Sequence, residues 1–327
     1  MIHIIHKHKM MELAAVTMAL IIVVFVMVIT SAASEGETGQ KSFASPQMLV
    51  DALVTAIKDS NDAELLAILG PGSENLTSSG DKVADRNNRE RFLKAYEEKN
   101  WIELQNEEQA VLFVGEKNYP FPIPLVKRND VWLFDTQAGA EEILNRRIGR
   151  NELHTIEVME AYTAAQREYA CMKRNGGGAE FAQKLTSSEG KMDGLYWEAE
   201  EGEEESPFGP LIAMAAKEGY EGGLDQDPPE PFHGYYFKIL KKQGEHADGG
   251  AFDYVANDKM ILGFGLVAYP AKYQASGIMT FIVNQEGVVY EKDLGENTTV
   301  AAAMTTYDPD DTWSKYQPPE VDEIIKE

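Results

Sequence analysis

Residues 156–169 read IEVMEAYTAAQREY, and their pattern indicates the architecture of the C-terminal half. Their apolar and aromatic side chains recur at helical spacing and fall on one face: Ile156, Met159, Tyr162 and Tyr169. We expect this helix to run from about 138 to about 174, before the glycine turn at 176–178. A long helix with a single apolar stripe has to bury it against another element, and an antiparallel sheet is the cover that we predict.

Segments with the composition of β-strands follow Phe232. They are rich in aromatic and β-branched residues and lie at 235–240, 252–255, 260–269, 277–284 and 288–291. The turn at 284–287 makes the last two a hairpin. The sequence therefore predicts a C-terminal α+β domain over 141–317, in which the long helix packs on an antiparallel sheet.

A second α+β domain is predicted over 42–140, from helices plus a curved antiparallel sheet. Ser45 and Pro46 are typical of a helix start, because Ser caps the first turn and Pro needs no donor there. Strand-like segments follow at 101–104, 110–114, 121–126 and 131–134. Pro122 and Pro124 lack a backbone donor, which predicts that their strand lies at a sheet edge.

Residues 1–33 have the pattern of an export signal, with a basic start, an uncharged apolar run at 13–29 and small residues up to Ala33. Retention as an N-terminal anchor is the alternative, since the run approaches membrane-spanning length. A polar linker at 34–41 and an acidic tail at 318–327 complete the predicted organisation. We expect the protein to be exported, periplasmic or secreted, and tethered to the inner membrane only if the segment is retained.

The charge balance restricts the classes of partner. The 327 residues contain 30 Lys and Arg against 54 Asp and Glu, a formal net charge of −24, while 43% hydrophobic residues are enough to build a core. Such a surface repels polyphosphate, so we expect no nucleic-acid partner. Solubility is the simplest interpretation of the charge, and cationic partners are the alternative. The single Cys171 excludes an internal disulfide and a multi-cysteine zinc site.

Catalytic and cofactor motifs are not evident. His154, His233 and His246 follow the signal without zinc-site spacing, and Gly263–Ala268 fits a dinucleotide fingerprint only on paper, because strand-like residues follow it. We therefore predict no catalytic residue and no cofactor. Ca²⁺ is the one metal considered, at the carboxylates of 198–205 and of 308–311, with solvated charge as the competing interpretation.

Several segments carry a resemblance to a family of bacterial exported proteins, the domain of unknown function 2950. They lie at 121–126, 132–135, 146–153, 165–170, 193–197, 206–210, 233–237 and 279–295. The chain resembles this family over nearly all of its length after the signal, and the resemblance implies no particular activity.

The C-terminal half also resembles the globular heads of type IV pilin-like and pseudopilin proteins. The helix end with Gln166 and Tyr169, the strand at 234–237 and the closing hairpin at 280–290 follow one another in the same order. In a pilin the hydrophobic segment is contiguous with the long helix, whereas here it lies far upstream at 13–29. The resemblance therefore implies a head used as a binding module rather than as a filament subunit.

The candidate binding residues come from these segments and are Arg146, Arg147, Asn151, Glu152, Trp197, His233, Tyr235 and Tyr236. An ion network in which Arg forks meet carboxylates is the structural interpretation of the first four, and capture of an anionic ligand is the functional one. We predict a non-catalytic envelope protein that binds an unidentified envelope protein or surface component. The alternative is an extracytoplasmic hydrolase that uses paired carboxylates, which leave little trace in a sequence.

Overall fold

The computed structural model describes residues 34–35, 39–172, 179–199, 202, 204–220 and 229–318. The predicted signal at 1–33, the glycine turn at 176–178 and nearly all of the predicted acidic tail lie outside these residues. Among the helices of the described residues, none is both long enough and apolar enough to cross a bilayer.

The helices are α1 (Pro46–Lys58), α2 (Asp62–Leu69), α3 (Glu74–Thr77), α4 (Lys82–Glu98), α5 (Thr136–Cys171), α6 (Gly209–Lys217) and α7 (Thr298–Ala303). The strands before α5 are β1 (Ser34–Glu35), β2 (Lys41–Ser42), β3 (Asn100–Leu104), β4 (Gln109–Val114), β5 (Tyr119–Pro120), β6 (Leu125–Arg128) and β7 (Val131–Phe134). Those after α5 are β8 (Tyr235–Leu240), β9 (Lys242–Gln243), β10 (Phe252–Asp253), β11 (Val255–Ala256), β12 (Lys259–Met260), β13 (Gly265–Pro270), β14 (Met279–Asn284), β15 (Tyr290–Asp293), β16 (Thr306–Tyr307) and β17 (Ser314–Lys315). These helices and antiparallel sheets confirm the predicted α+β class.

The chain forms two compact units that are not contiguous in sequence. The first combines the chain up to Pro71 with Trp101–Phe113 and Ile123–Thr136, and the second combines Gly72–Asn100, Val114–Pro122 and the chain from Gln137 onward. The sequence predicts two domains that meet near 140, whereas these units alternate along the chain. Helix α4, expected in the N-terminal domain, belongs to the second unit.

In the first unit, α1 and α2 share a core with an antiparallel sheet in the order β3-β4-β6-β7. Ser45 accepts a hydrogen bond from the Met48 N–H, as predicted for its N-cap. Strand β6 lies between β4 and β7, so the predicted edge position is wrong. The two prolines avoid the conflict because the ladder of β6 begins at Leu125, after both of them.

The predicted linker at 34–41 is partly ordered. Lys41 and Ser42 pair with Glu35 and Ser34 in the short β1–β2 ladder. The Gln40 side-chain amide donates to the carbonyls of Ile68, Leu69 and Phe134 at 2.9–3.0 Å. This end of the linker is therefore attached to the first unit.

The second unit is built on α5 and a five-stranded antiparallel sheet in the order β17-β15-β14-β13-β8. The predicted stripe of α5 lies in one core with this sheet, and Tyr162 donates from its hydroxyl to the Gly265 carbonyl at 3.0 Å. The long strand predicted over 260–269 is interrupted. A side chain at Gly263 would meet the Tyr254 ring at 2.7 Å, so the chain passes close to that ring before β13 begins.

Candidate functional site

A cavity of about 250 Å³ in the second unit collects cationic and polar side chains. We call it the arginine cleft; its lining is Ala84, Asn87, Asn88, Arg91, Arg150, Asn151, His154, Glu218, Tyr220 and His233. Helix α4 contributes residues three, four and seven positions apart, and α5 contributes Arg150 and His154 four positions apart. These spacings place each set on one helical face.

Asp81 is a buried carboxylate, 1% exposed, that accepts hydrogen bonds from two residues of the cleft lining, Ala84 and Tyr220. One carboxylate oxygen caps α4 by accepting from the Ala84 N–H at 2.9 Å. The other accepts from the Tyr220 hydroxyl at 2.9 Å and from the Gly234 N–H at 2.8 Å. Burial raises the pKa of Asp81, and the three hydrogen bonds counteract that effect. Asp81 thus joins the start of α4 to the chain segments that contain Tyr220 and Gly234.

His233 adopts a left-handed backbone conformation with a φ of 47°, which is uncommon for a residue other than glycine. Its N–H donates to the Tyr220 hydroxyl at 3.2 Å, and its ring packs edge-on against His154 with 4.3 Å between centroids. The Nε2 atom lies 3.2 Å from a Glu218 carboxylate oxygen, but it is buried and its geometry fits no hydrogen bond. Burial, followed by the charges of His154, Arg150 and Arg91, lowers the pKa of His233 to about 4. The ring is therefore neutral at neutral pH.

Arg91 and Arg150 supply the fixed positive charge of the cleft. Arg91 donates to the amide oxygen of Asn88, and neither guanidinium pairs with a carboxylate of the described residues. Burial and the charge of Arg91 lower the pKa of Arg150, which shows that the two cations act on each other. Among the residues that the structure describes, Glu218 is the one carboxylate in the cleft lining. Two guanidinium groups with no acidic partner among the described residues are suited to bind a carboxylate, sulfate or phosphate group.

A larger cavity of about 980 Å³ lies next to the cleft, and Tyr220 lines both. We call it the aromatic cavity because Tyr196, Trp197 and Tyr220 line it together with apolar side chains that include Met192 and Ile212. Ser187, Glu189, Lys191 and Glu198 add polar groups to its lining. A further cavity of about 550 Å³ shares Trp197 and holds Glu198 and Glu205.

The predicted Arg146 and Arg147 do not form the expected network of Arg forks with carboxylates. Arg147 donates to the backbone carbonyls of Asn75, Leu76 and Ala275, while Arg146 pairs with Glu142 one turn earlier on the same helix. Arg147 therefore holds backbone segments of the second unit together.

Asn151 and Glu152 anchor α5 to the residues that precede β14. Asn151 donates to the Ser276 carbonyl at 2.8 Å and also lines the arginine cleft. One Glu152 oxygen accepts from the N–H groups of Ile278 and Met279 at 2.9 and 3.0 Å and from the Tyr235 hydroxyl at 3.3 Å.

The predicted aromatic residues are spread over the unit. Tyr235 is fully buried, and Tyr236 packs against Tyr269 with 5.5 Å between centroids. Trp197 donates from its indole to the Glu204 carbonyl at 2.9 Å and lines both larger cavities. Of the eight predicted residues, only Asn151 and His233 lie in the arginine cleft.

Sequence reasoning missed most of the cleft: Asn87, Asn88, Arg91, Arg150, His154 and Glu218. Arg150 stands within the family segment at 146–153 and His154 directly follows it, so a signal was present there. Arg91 lies far upstream, on a helix within the predicted N-terminal domain that belongs to the second unit, and its approach to α5 follows from the tertiary fold alone.

Two of the carboxylates predicted as Ca²⁺ candidates, Asp308 and Asp310, have protein partners. Asp308 accepts from the His246 N–H and lies 3.0 Å from its ring nitrogen, while Asp310 accepts from Thr312. Glu204 and Glu205 belong to the described chain, whereas 200, 201 and 203 do not. Within the described residues, no group of three or more His, Cys, Asp or Glu is arranged to hold a metal ion.

Comparison with known proteins identifies the family. No curated protein and no solved structure matches the chain, so the resemblance to pilin heads has no structural match behind it. One family model matches residues 40–316 and is described as a protein of unknown function. Since the match covers most of the 327 residues, the chain belongs to the DUF2950 family.

Proposed function

We propose that this protein is a non-catalytic binding module of the cell envelope that recognises an anionic group in the arginine cleft. The observation that carries the proposal is the pair of exposed guanidinium groups, Arg91 and Arg150, which have no carboxylate partner among the described residues. The chain has a net charge of −24, yet the described lining of this cavity combines two guanidinium groups with a single carboxylate, so it forms a local positive site that can attract an anion. The partner is an envelope or surface component that carries a carboxylate or phosphate group.

The test is a thermal-shift titration with phosphate, sulfate and acetate, with chloride added to match ionic strength. We expect the oxyanions to raise the melting temperature of the wild type, because a ligand that binds only the folded state stabilises it. Arg91→Gln and Arg150→Gln should each weaken binding about 10- to 100-fold, the loss of one charge-assisted hydrogen bond.

Two variants control for the change in net charge. Arg167→Gln lies on α5, where Arg167 donates to the Gln285 carbonyl away from the cleft lining. Lys94→Gln removes one positive charge from α4, at a residue that does not line the cleft. Both should bind oxyanions like the wild type. Equal oxyanion stabilisation of Arg150→Gln and wild type would rule out the cleft as the site.

Export is part of the proposal and is supported by the pattern of 1–33. The mass of the protein purified from its native host distinguishes cleavage after Ala33 from retention as an anchor. Recovery of the full-length chain in the cytosolic fraction would contradict export.

We interpret the second unit as a head of the pilin type that has been retained for binding. The supporting observation is that α5 packs its apolar stripe on an antiparallel sheet, the arrangement that the resemblance implies. An experimental structure that superimposes no better on pilin heads than on other α+β folds would remove this interpretation.

One observation favours the alternative function, a hydrolase with paired carboxylates. Glu198 and Glu205 line the same cavity of about 550 Å³ as Tyr196 and Trp197, and aromatic rings beside two carboxylates are suited to a sugar. Hydrolysis of a cell-wall glycan that Glu205→Gln abolishes would favour this alternative. Glycan hydrolysis that Glu205→Gln leaves unchanged would exclude this alternative function.

A further inference from the structure

We propose that the ligand of the arginine cleft is an amphipathic molecule with a single anionic group, whose apolar body occupies the aromatic cavity. This inference rests on the proposed function, since it assigns the charged group to Arg91 and Arg150. It adds the chemistry of the rest of the ligand. The observation behind it is that the cleft of about 250 Å³ and the aromatic cavity of about 980 Å³ have Tyr220 in common.

Hydrogen bonds and ring packing hold Tyr220 in place where it lines both spaces. Its hydroxyl donates to Asp81 at 2.9 Å and accepts from the His233 N–H at 3.2 Å. Its ring packs against Phe232 with 4.9 Å between centroids. Because the hydroxyl already has both partners, the side chain offers a ligand mainly the face of its ring, which suits an apolar group.

Small residues at the end of α6 keep the aromatic cavity open. Ala216 and Gly219 both line it. Gly219 has a φ of +90°, a backbone conformation that residues with a side chain rarely adopt, so a larger residue is strained there. Met192 extends the lining and is 41% exposed, which leaves a large apolar side chain uncovered by the described residues.

The charges around the aromatic cavity restrict the ligand further. Two carboxylates, Glu189 and Glu198, and one cation, Lys191, are among the residues that line this cavity. A second anionic group in this cavity would face two carboxylates, so a polyanion or a nucleotide is disfavoured. An inorganic anion needs only the smaller cleft. A cavity of this size with three aromatic residues accommodates an alkyl or aryl body attached to the anionic group.

The test is a titration with monomeric acetate, hexanoate and decanoate, and with the corresponding alkyl phosphates, below their micelle concentrations. Each added methylene should raise the affinity about 3- to 4-fold, the transfer of about 0.8 kcal/mol per CH₂, until the cavity is filled. Arg150→Gln should weaken binding at every chain length by a similar factor. Ala216→Phe should remove the dependence on chain length while acetate binding remains.

Ala213→Phe is the matched control. Ala213 lies one turn earlier on α6 and is exposed, but it lines the cavity of about 550 Å³ instead of the aromatic cavity. This variant should show the chain-length dependence of the wild type. If Ala216→Phe does not fold, Ala216→Leu provides a smaller block with the same expected direction.

The outcomes separate this inference from the proposed function. Oxyanion binding that depends on Arg150 but does not increase with chain length would overturn the inference and leave the proposed function standing. Absence of any binding, or binding of decanoate that is unaffected by Arg150→Gln, would overturn both. Binding to vesicles containing an anionic lipid, without binding of monomeric amphiphiles, would also overturn the inference, in favour of a membrane surface.

Discussion

Replacing His233 by Asn should make the second unit less sensitive to acid. The residue has a φ of 47°, a conformation that Asn adopts more readily than most residues, so the backbone turn should survive. The change removes the imidazole that is buried between His154 and Phe232. It therefore isolates the titration of one ring.

The size of the effect follows from the difference between the folded and unfolded pKa values of His233. The folded pKa is about 4 against an ordinary 6.5, and the side chain is only 14% exposed. Between these values the unfolded chain binds the proton and the folded chain does not, so stability falls as the pH drops from 6.5 towards 4. At about pH 5 the cost relative to about pH 7.5 is about 2 kcal/mol.

The assay is urea unfolding of wild type and His233→Asn at about pH 7.5 and about pH 5, followed by tryptophan fluorescence, in which Trp197 and Trp313 report on the second unit and Trp101 and Trp132 on the first. The free energy of unfolding should fall between the two pH values by about 2 kcal/mol less in the variant. Raised carboxyl pKa values, such as those of Asp81 and Glu291, occur in both proteins and cancel in this double difference.

His246→Asn is the control with the opposite sign. Hydrogen bonding to Asp308 raises the pKa of the exposed His246, so its contribution is present at low pH and is lost as the pH rises through its folded pKa. This variant should be at least as sensitive to acid as the wild type, because it loses a contribution that is present only at low pH. An equal loss of stability in wild type and His233→Asn would refute the reasoning, because the buried ring would then not be neutral in the folded state.

Four further predictions concern glycines and buried polar groups, each read from the urea midpoint. Gly277→Ala should destabilise the second unit by about 1–3 kcal/mol, because a Cβ there would lie 2.0 Å from the Tyr235 hydroxyl. Gly149→Ala, in the interior of α5 with no atom within 4 Å of its Cβ, should instead stabilise by about 0.5–1 kcal/mol, and equal effects would contradict the geometry. Gln166→Leu should cost about 2–4 kcal/mol, because the buried amide bonds both the N–H and the carbonyl of Ala182; a neutral result would mean that water replaces it. Glu152→Ala should cost about 1–3 kcal/mol by leaving two backbone donors unpaired, whereas Glu152→Gln should recover most of it.

The elements that the sequence predicted well are those whose pattern repeats over many residues. The stripe of Ile156, Met159, Tyr162 and Tyr169 persists for several turns, and all four residues lie in the core with the sheet. The strand at Tyr235–Leu240 was predicted at its observed bounds because aromatic residues fill its buried positions. Long, periodic segments carry enough information to specify their own structure.

The errors arose where tertiary contacts decide. Pro122 and Pro124 were read as part of a strand, but the ladder begins after them and places β6 inside the sheet. The sequence around Arg147 favours an ion network with carboxylates. Instead, Arg147 donates to backbone carbonyls of residues that are distant in the sequence. Arg91 meets Arg150 only because α4 belongs to the second unit.

The alternation of the chain between its two units bears on the order in which they are made. The last residue of the first unit is Thr136, so all of its segments have been synthesised once the ribosome has passed that residue. The second unit needs residues from Gly72 to its edge strand at Ser314–Lys315. We therefore expect the first unit to be able to fold early in synthesis and the second only near its end. A single cut near 140 would leave α4 in a fragment without α5, so separate production of either unit requires joining segments that are not adjacent in the gene.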